Sequence, residues 1–191
     1  MKPIILASRS PRRKELLTRA GLRIRVQPSA IPEPPADSLP PDRYALKLAL
    51  LKADNVAATV RAGLVIGADT IVVLGKKIFG KPGNAAEAKK ILSVLSNTRH
   101  YVYTAVAVID IQTQRRIVDI DRTAVITRKI SPRVIETLAL KNHDKAGAYA
   151  IQEDGDMLID HIEGDFYTVV GLPLSKLRKI LRIFSVHMKT F

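Results

Sequence analysis

Four apolar residues, Ile4-Ile5-Leu6-Ala7, run straight into Ser8-Arg9-Ser10-Pro11-Arg12-Arg13, and this junction constrains the fold more than any other stretch of the chain. The run is too short for a signal peptide or a membrane span and reads as a buried strand. Ser10 stands where a helix N-cap belongs, and Pro11 takes the first helical position, where its missing N–H costs nothing. Leu16, Leu17 and Ala20 continue at helical spacing to a stop near Gly21. Two hydroxyls, unpaired backbone N–H groups and neighbouring guanidinium groups therefore converge at the mouth of a strand-to-helix turn. Two readings stand: an anion site, with phosphate as the anion, or a capped helix whose arginines are solvated.

The rest of the chain keeps alternating. Leu22–Val26 reads as a second strand, and the proline-crowded stretch Pro28–Pro41 as a loop that carries Glu33. Asp42 is the expected cap of a long helix running through Tyr44, Leu48, Leu51, Val56 and Val60 and ending before Gly63. Leu64–Leu74 is a strongly apolar strand interrupted by one acid, Asp69. Gly75 turns the chain, Ile78-Phe79 leads into Gly80-Lys81-Pro82-Gly83, and a helix follows from about Asn84 to Leu95. Tyr101–Ile109 and Ile117–Thr127 predict a hairpin about Gln112–Gln114, and Ser131-Pro132 opens a helix that ends near Lys141. The last third holds a short strand over Ala148–Ile151, the segments Met157–Glu163 and Phe166–Val170, and a helix from Pro173 to about Phe184. Crossover units first and a hairpin in the middle predict an α/β fold with a mixed sheet. At 191 residues the chain suits one domain with room for two lobes.

Composition excludes several functions. The chain has no cysteine, so disulfides, thiolate metal sites and cysteine nucleophiles are ruled out, which is compatible with a cytosolic setting. No stretch approaches the length of a membrane-spanning helix. The 31 basic and 18 acidic residues give a formal charge of +13, which calls for a polyanionic partner, nucleic acid or a nucleoside triphosphate, or else a basic surface. The bases are scattered, with clusters at Arg9–Lys14, Arg115–Arg116 and Lys176–Arg182. With five tyrosines, four phenylalanines and no tryptophan, no basic stripe is interleaved with aromatics as a single-strand platform would be. Most of the excess therefore reads as solvated helix surface, and nucleic-acid binding is the less favoured partner reading.

Asp69 is the leading candidate for chemistry. Inside an apolar strand a carboxylate is expensive unless it is paired, protonated or metal-bound. Thr70 falls on the opposite face of a regular strand. Lys81, between glycine and proline, can be presented rigidly to a phosphate as a point charge. Glu33 with Asp69 could supply oxygen ligands to a hard divalent cation, and Gln152 could read a base edge with its amide. Each has an ordinary alternative: a strand-end aspartate bonded to a turn, an exposed lysine, a solvated loop acid, a turn glutamine. His100 precedes a strand, His143 lies in a loop, His161 is mid-strand and His187 near the end; none has metal-ligand spacing or forms a triad. The chain carries neither a Walker A loop nor a dinucleotide fingerprint.

Taken in order, Leu6-Ala7-Ser8-Arg9-Ser10-Pro11-Arg12-Arg13, Gly67-Ala68-Asp69-Thr70, Gly80-Lys81-Pro82, Asp144 to Gln152 and Val169-Val170-Gly171-Leu172-Pro173-Leu174 resemble the Maf family of nucleotide pyrophosphatases along nearly the whole chain. The resemblance implies a single domain over 1–191 with the inosine-triphosphatase-like fold: a mixed twisted sheet in two lobes, flanking helices and a central cleft. It implies a house-cleaning hydrolase that cleaves a nucleoside triphosphate between its α- and β-phosphates. It also implies a magnesium or manganese cofactor, a cytoplasmic location and a homodimer. By position, Asp69 would accept the proton of the attacking water and touch the metal with Glu33; Ser8, Arg13, Lys52 and Lys81 would hold phosphates. Arg12, Thr70 and Gln152 match the subgroup resembling dTTP/UTP pyrophosphatases rather than the one acting on 7-methyl-GTP. Glu153, where the family has glycine, adds charge beside the expected base pocket, and Pro32, where an acid is common, removes a metal ligand. The competing readings are the same reaction on another non-standard nucleotide, or a basic nucleic-acid-binding regulator.

Overall fold

The computed structural model describes residues 2–36, 39–142, 145–151 and 157–189. The N-terminal junction forms as its residues demand. Strand β1 (Ile4–Leu6) is fully buried, Ser10 Oγ accepts the Arg13 N–H at 3.4 Å, and helix α1 (Pro11–Arg19) starts on its proline. Strand β2 (Ile24–Val26) returns parallel to β1, with Ile4 opposite Ile24 and Leu6 opposite Val26. After the proline-rich loop come helix α2 (Pro41–Ala57) and strand β3 (Leu64–Leu74), which pairs parallel to β1 on its other edge. Short strand β4 (Lys77–Phe79) folds back antiparallel on β3. Helix α3 (Ala85–Leu95), strands β5 (Arg99–Asp110) and β6 (Arg116–Thr127), helix α4 (Pro132–Lys141) and strand β7 (Ile159–Glu163) follow, then helices α5 (Phe166–Val170) and α6 (Leu174–Ile183). The mixed sheet has seven strands in the order β2-β1-β3-β5-β6-β7, with β4 on β3.

The chain divides into two compact units. Residues 1–69, 104–121 and 171–191 form the first, which buries Leu6, Leu16, Leu17, Leu48, Ile66, Leu172 and Leu177. Residues 70–103 and 122–170 form the second, whose core includes Val72, Phe79, Leu92, Leu95, Val102, Val125 and Leu138.

Three expectations need correction. Asp42 does not cap α2: Pro41 takes the first helical position, Pro40 is the cap and its carbonyl accepts the Tyr44 N–H at 2.9 Å, so Asp42 lies in the first turn, where its charge complements the helix dipole. That helix also stops at Ala57, short of Val60. Ala148–Ile151 is no strand, because Ala146–Ala148 make a 3₁₀ turn in which Gly147 (φ 72°) and Ala148 (φ 60°) are both left-handed.

Candidate active site

Asp69 is 5% exposed, and what surrounds it is set by a glycine two residues earlier on the same strand face. A Cβ on Gly67 would lie 2.3 Å from the Ala49 carbonyl oxygen and 2.8 Å from the Ala53 nitrogen, so only glycine lets α2 come this close to β3. Ala49, Lys52 and Ala53 are spaced three and four apart on that helix face. The close crossing therefore carries the Lys52 ammonium to Asp69, where it donates to Oδ1 at 2.5 Å. The same nitrogen donates to Glu33 Oε1 at 2.7 Å.

Glu33 reaches this point because its proline-rich loop is tied to α2 at two places. Tyr44 Oη donates to the Pro34 carbonyl at 2.8 Å, and Asn55 Oδ1 accepts from both Ser29 Oγ and the Ala30 N–H at 3.1 Å. Burial raises the Asp69 carboxyl above the ordinary carboxylate range; Lys52 and Arg13 oppose this, and Glu33 adds to it. A carboxyl whose affinity for a proton is raised in this way is a stronger base than a free one.

The helix mouth adjoins this cluster. Ser8, buried, accepts from the Ser10 N–H at 3.2 Å and from Arg13 Nη1 at 3.1 Å. Arg13 also donates from Nη1 to the Ala68 carbonyl at 2.9 Å and from Nε to the Gly171 carbonyl at 2.8 Å. Burial pulls its guanidinium below the usual value, while Asp69 pushes back. Arg13 is thus also a structural tie between α1, β3 and the segment before α6, a role the sequence did not suggest. Beside it, the buried Nε of Arg12 has no hydrogen-bond partner among the described residues. A buried guanidinium N–H without an acceptor invites an oxygen from outside the chain.

The first unit thus brings Ser8, Arg12, Arg13, Glu33, Lys52 and Asp69 together. Thr70 and Lys81 belong to the second unit. Thr70 follows Asp69 on the unbroken strand β3 and is half-buried; Lys81 is exposed after β4, and the neighbouring Gly80 carbonyl accepts the Gly147 N–H at 3.2 Å. Gln152, Glu153 and His143 lie outside the described residues. A surface hollow of the second unit, lined by Lys77, Phe79, Asn84, Glu87 and Lys90, contains none of the candidates.

His100 is placed differently from the expectation, inside β5 and fully buried. Its Nδ1 lies 3.3 Å from Thr98 Oγ1, whose own hydrogen goes to the Leu95 carbonyl at 2.8 Å. Nδ1 therefore carries the ring proton, and Nε2 accepts from Tyr149 Oη at 2.8 Å. Burial lowers the imidazole to about 4 and raises the phenol, so both stay neutral. The pair is structural, and no sequence signal linked its members.

Known proteins are similar to this chain along nearly its whole length. The model of the family described as Maf-like protein matches residues 3–184. A protein of Moorella thermoacetica named dTTP/UTP pyrophosphatase is 46% identical over 98% of both chains. One of the same name from Desulforamulus reducens is 46% identical over 98% of this chain and all of its own. Another so named, from Bacillus cereus, is 42% identical over 98% of this chain and 93% of its own.

Proposed function

The chain belongs to the Maf family, and from that premise we propose that it hydrolyses dTTP and UTP to the monophosphate and pyrophosphate, clearing these nucleotides from the pool. The observation that carries the reading is the buried Asp69 carboxylate, held by Lys52 beside Glu33 at the mouth of a helix whose first turn bears Arg12 and Arg13.

Phosphoanhydride hydrolysis asks for positioning, charge neutralisation and one base to orient water, with no covalent nucleophile. Asp69 takes the proton of the attacking water at its carboxylate. Ser8, Arg13 and the N-terminal N–H groups of α1 receive phosphate oxygens, joined by Lys52 and Lys81. Lys52, shared between two carboxylates in the free chain, offers its charge to the incoming phosphates. Arg12, Thr70 and Gln152 select the pyrimidine base.

Glu33 and Asp69 converge on one ammonium and offer hard oxygens, a donor set that suits a magnesium or manganese ion completing its shell with water and substrate phosphate. When bound there, such a cation supplies charge neutralisation at the phosphates. Among the described residues no third acid or histidine joins them. Nor is any helix long and apolar enough to cross a membrane among those residues. The reading also carries a cytoplasmic location and a homodimer.

The test is a panel of dTTP, UTP, CTP and 7-methyl-GTP with magnesium or manganese and identification of every product. dTTP and UTP should be cleaved fastest, to the monophosphate and pyrophosphate. Preference for 7-methyl-GTP, or release of orthophosphate, would refute it.

A further inference from the structure

The positive charge of this chain is not spread evenly. Residues 1–31 and 171–191 hold 13 of the 31 lysines and arginines but one of the 18 acids, Glu15, whereas residues 32–170 hold 18 bases against 17 acids. Both charged segments belong to the first unit, and the structure brings their far ends together. α1 and α6 both lead away from the candidate site: α1 starts at Ser10, and α6 follows Gly171, whose carbonyl holds Arg13. At their other ends the Lys189 N–H donates to the Ala20 carbonyl at 2.9 Å, and the Lys189 stem lies over Gly21. Arg178 Nη2 reaches the Lys189 carbonyl at 3.3 Å.

Strand register confirms the polarity. Arg23 precedes Ile24, at the end where β1 and β2 begin, while Ser8 lies beyond the other end of β1 and Asp69 sits on β3 three residues past Ile66, the partner of Leu6. The hairpin turn meets the same end: the Ile111 N–H donates to the Gly63 carbonyl at 3.0 Å, just before β3 starts. From it Arg115 stacks over the Phe184 ring at 5.9 Å. The nine residues of α1 alone set this end about 13 Å from Ser10.

Six cations therefore share one end: Arg23, Arg115, Arg178, Lys179, Arg182 and Lys189. None of them has an acid partner among the described residues, while Asp54, Asp110 and Asp119 of the same unit are taken by Arg116, Lys2 and Lys176. The helix dipole accounts for Arg182 in the last turn of α6, but not for Arg23 before a strand or Arg115 in a hairpin. These cations stand at the opposite end of α1 from Ser10 and the cluster around Asp69.

We propose that this end of the first unit binds the phosphate backbone of a nucleic-acid duplex. Among the described residues no exposed Phe or Tyr stands there to stack unpaired bases, which argues against single strands. Among the described residues of this end Ile183 is the exposed large apolar side chain, too little for membrane insertion. Sequence-independent phosphate contact fits a surface of cations alone. The inference is independent of the nucleotide reading.

Titration of a labelled short DNA duplex by fluorescence anisotropy across a salt series tests it, with the corresponding single strand and anionic vesicles in parallel. Affinity for the duplex should fall steeply with salt. The variant R23Q/R115Q/K179Q/R182Q should lower the slope of log K against log salt by about 3 to 4, since each phosphate contact contributes about 0.9. Lysine at the three arginine positions should keep the wild-type slope, and dTTP turnover should not change in any of these variants. A flat wild-type slope overturns the proposal, as does a glutamine variant that binds like wild type. Binding only to single strands or vesicles overturns it too, and so does dTTP turnover that falls with the glutamine variant, which would make the patch a guide for substrate.

Discussion

Two buried polar groups are held by opposite means in the two units. In the first, Asp69 keeps formal charge about it, with one ammonium shared between two carboxylates and a guanidinium bound to the neighbouring carbonyl. In the second, His100 and Tyr149 meet no charge and stay neutral in a closed chain of hydrogen bonds through Thr98. Burial acts on both. In one place it raises a carboxyl beside cations that can be offered to a substrate; in the other it silences an imidazole. The lesson is that burial alone does not mark chemistry: a charged cluster with donors left to share does.

The comparison can be broken most strongly at Lys52. Lys52→Met leaves Asp69 buried without its ion partner and should cost about 3–5 kcal/mol in thermal or denaturant unfolding at neutral pH. Adding Asp69→Asn should restore more than half of that loss, and a harmless single variant would show that the pair holds nothing.

His100 gives the next effect, in the same pH sense as a paired carboxylate of lowered pKa, since both lose their contribution on acidification. Its folded value near 4 lies below the unfolded 6.5, so the unfolded chain takes up the proton first. Its contribution is intact above pH 6.5 and declines as pH falls toward 4, by about 3 kcal/mol in all. His100→Gln should flatten that part of the stability–pH curve, and an unaltered curve would assign it elsewhere. Gly67→Ala is the smallest. It forces a methyl group against the Ala49 carbonyl and should cost about 1–3 kcal/mol, while loosening the Lys52–Asp69 contact enough to slow turnover. Wild-type turnover in that variant would separate the α2–β3 crossing from the site.

Much of the fold could be read from local chemistry. Leu64–Leu74 forms the strand its apolar run predicts, residue for residue, and Ser10, Asn84 and Ser131 each cap the helix they precede. Failures came where tertiary packing overrides local pattern. Ala148–Ile151 has strand-like residues, yet Ala148 closes a left-handed 3₁₀ turn with Gly147 and no sheet pairing is formed there among the described residues. Asp42 resembles a cap, but two prolines set the helix start ahead of it.

The candidate site divides in the same way. Asp69 and Glu33 stand out because acids in apolar or proline-rich surroundings are conspicuous. Lys52 came only from the family resemblance, since a lysine within a long amphipathic helix looks like any other. That Arg13 binds carbonyls 55 and 158 residues away is long-range information that no spacing encodes. The charge excess of the chain ends could be counted in the sequence, but their meeting at Ala20 and Lys189 could not.

The central claim is that Asp69 is the base. Binding and turnover of dTTP measured on one preparation of Asp69→Asn test it most directly. Turnover should fall by about 10²–10⁴-fold with dTTP binding largely kept, as removal of a general base predicts. A near-wild-type rate would take Asp69 out of the mechanism.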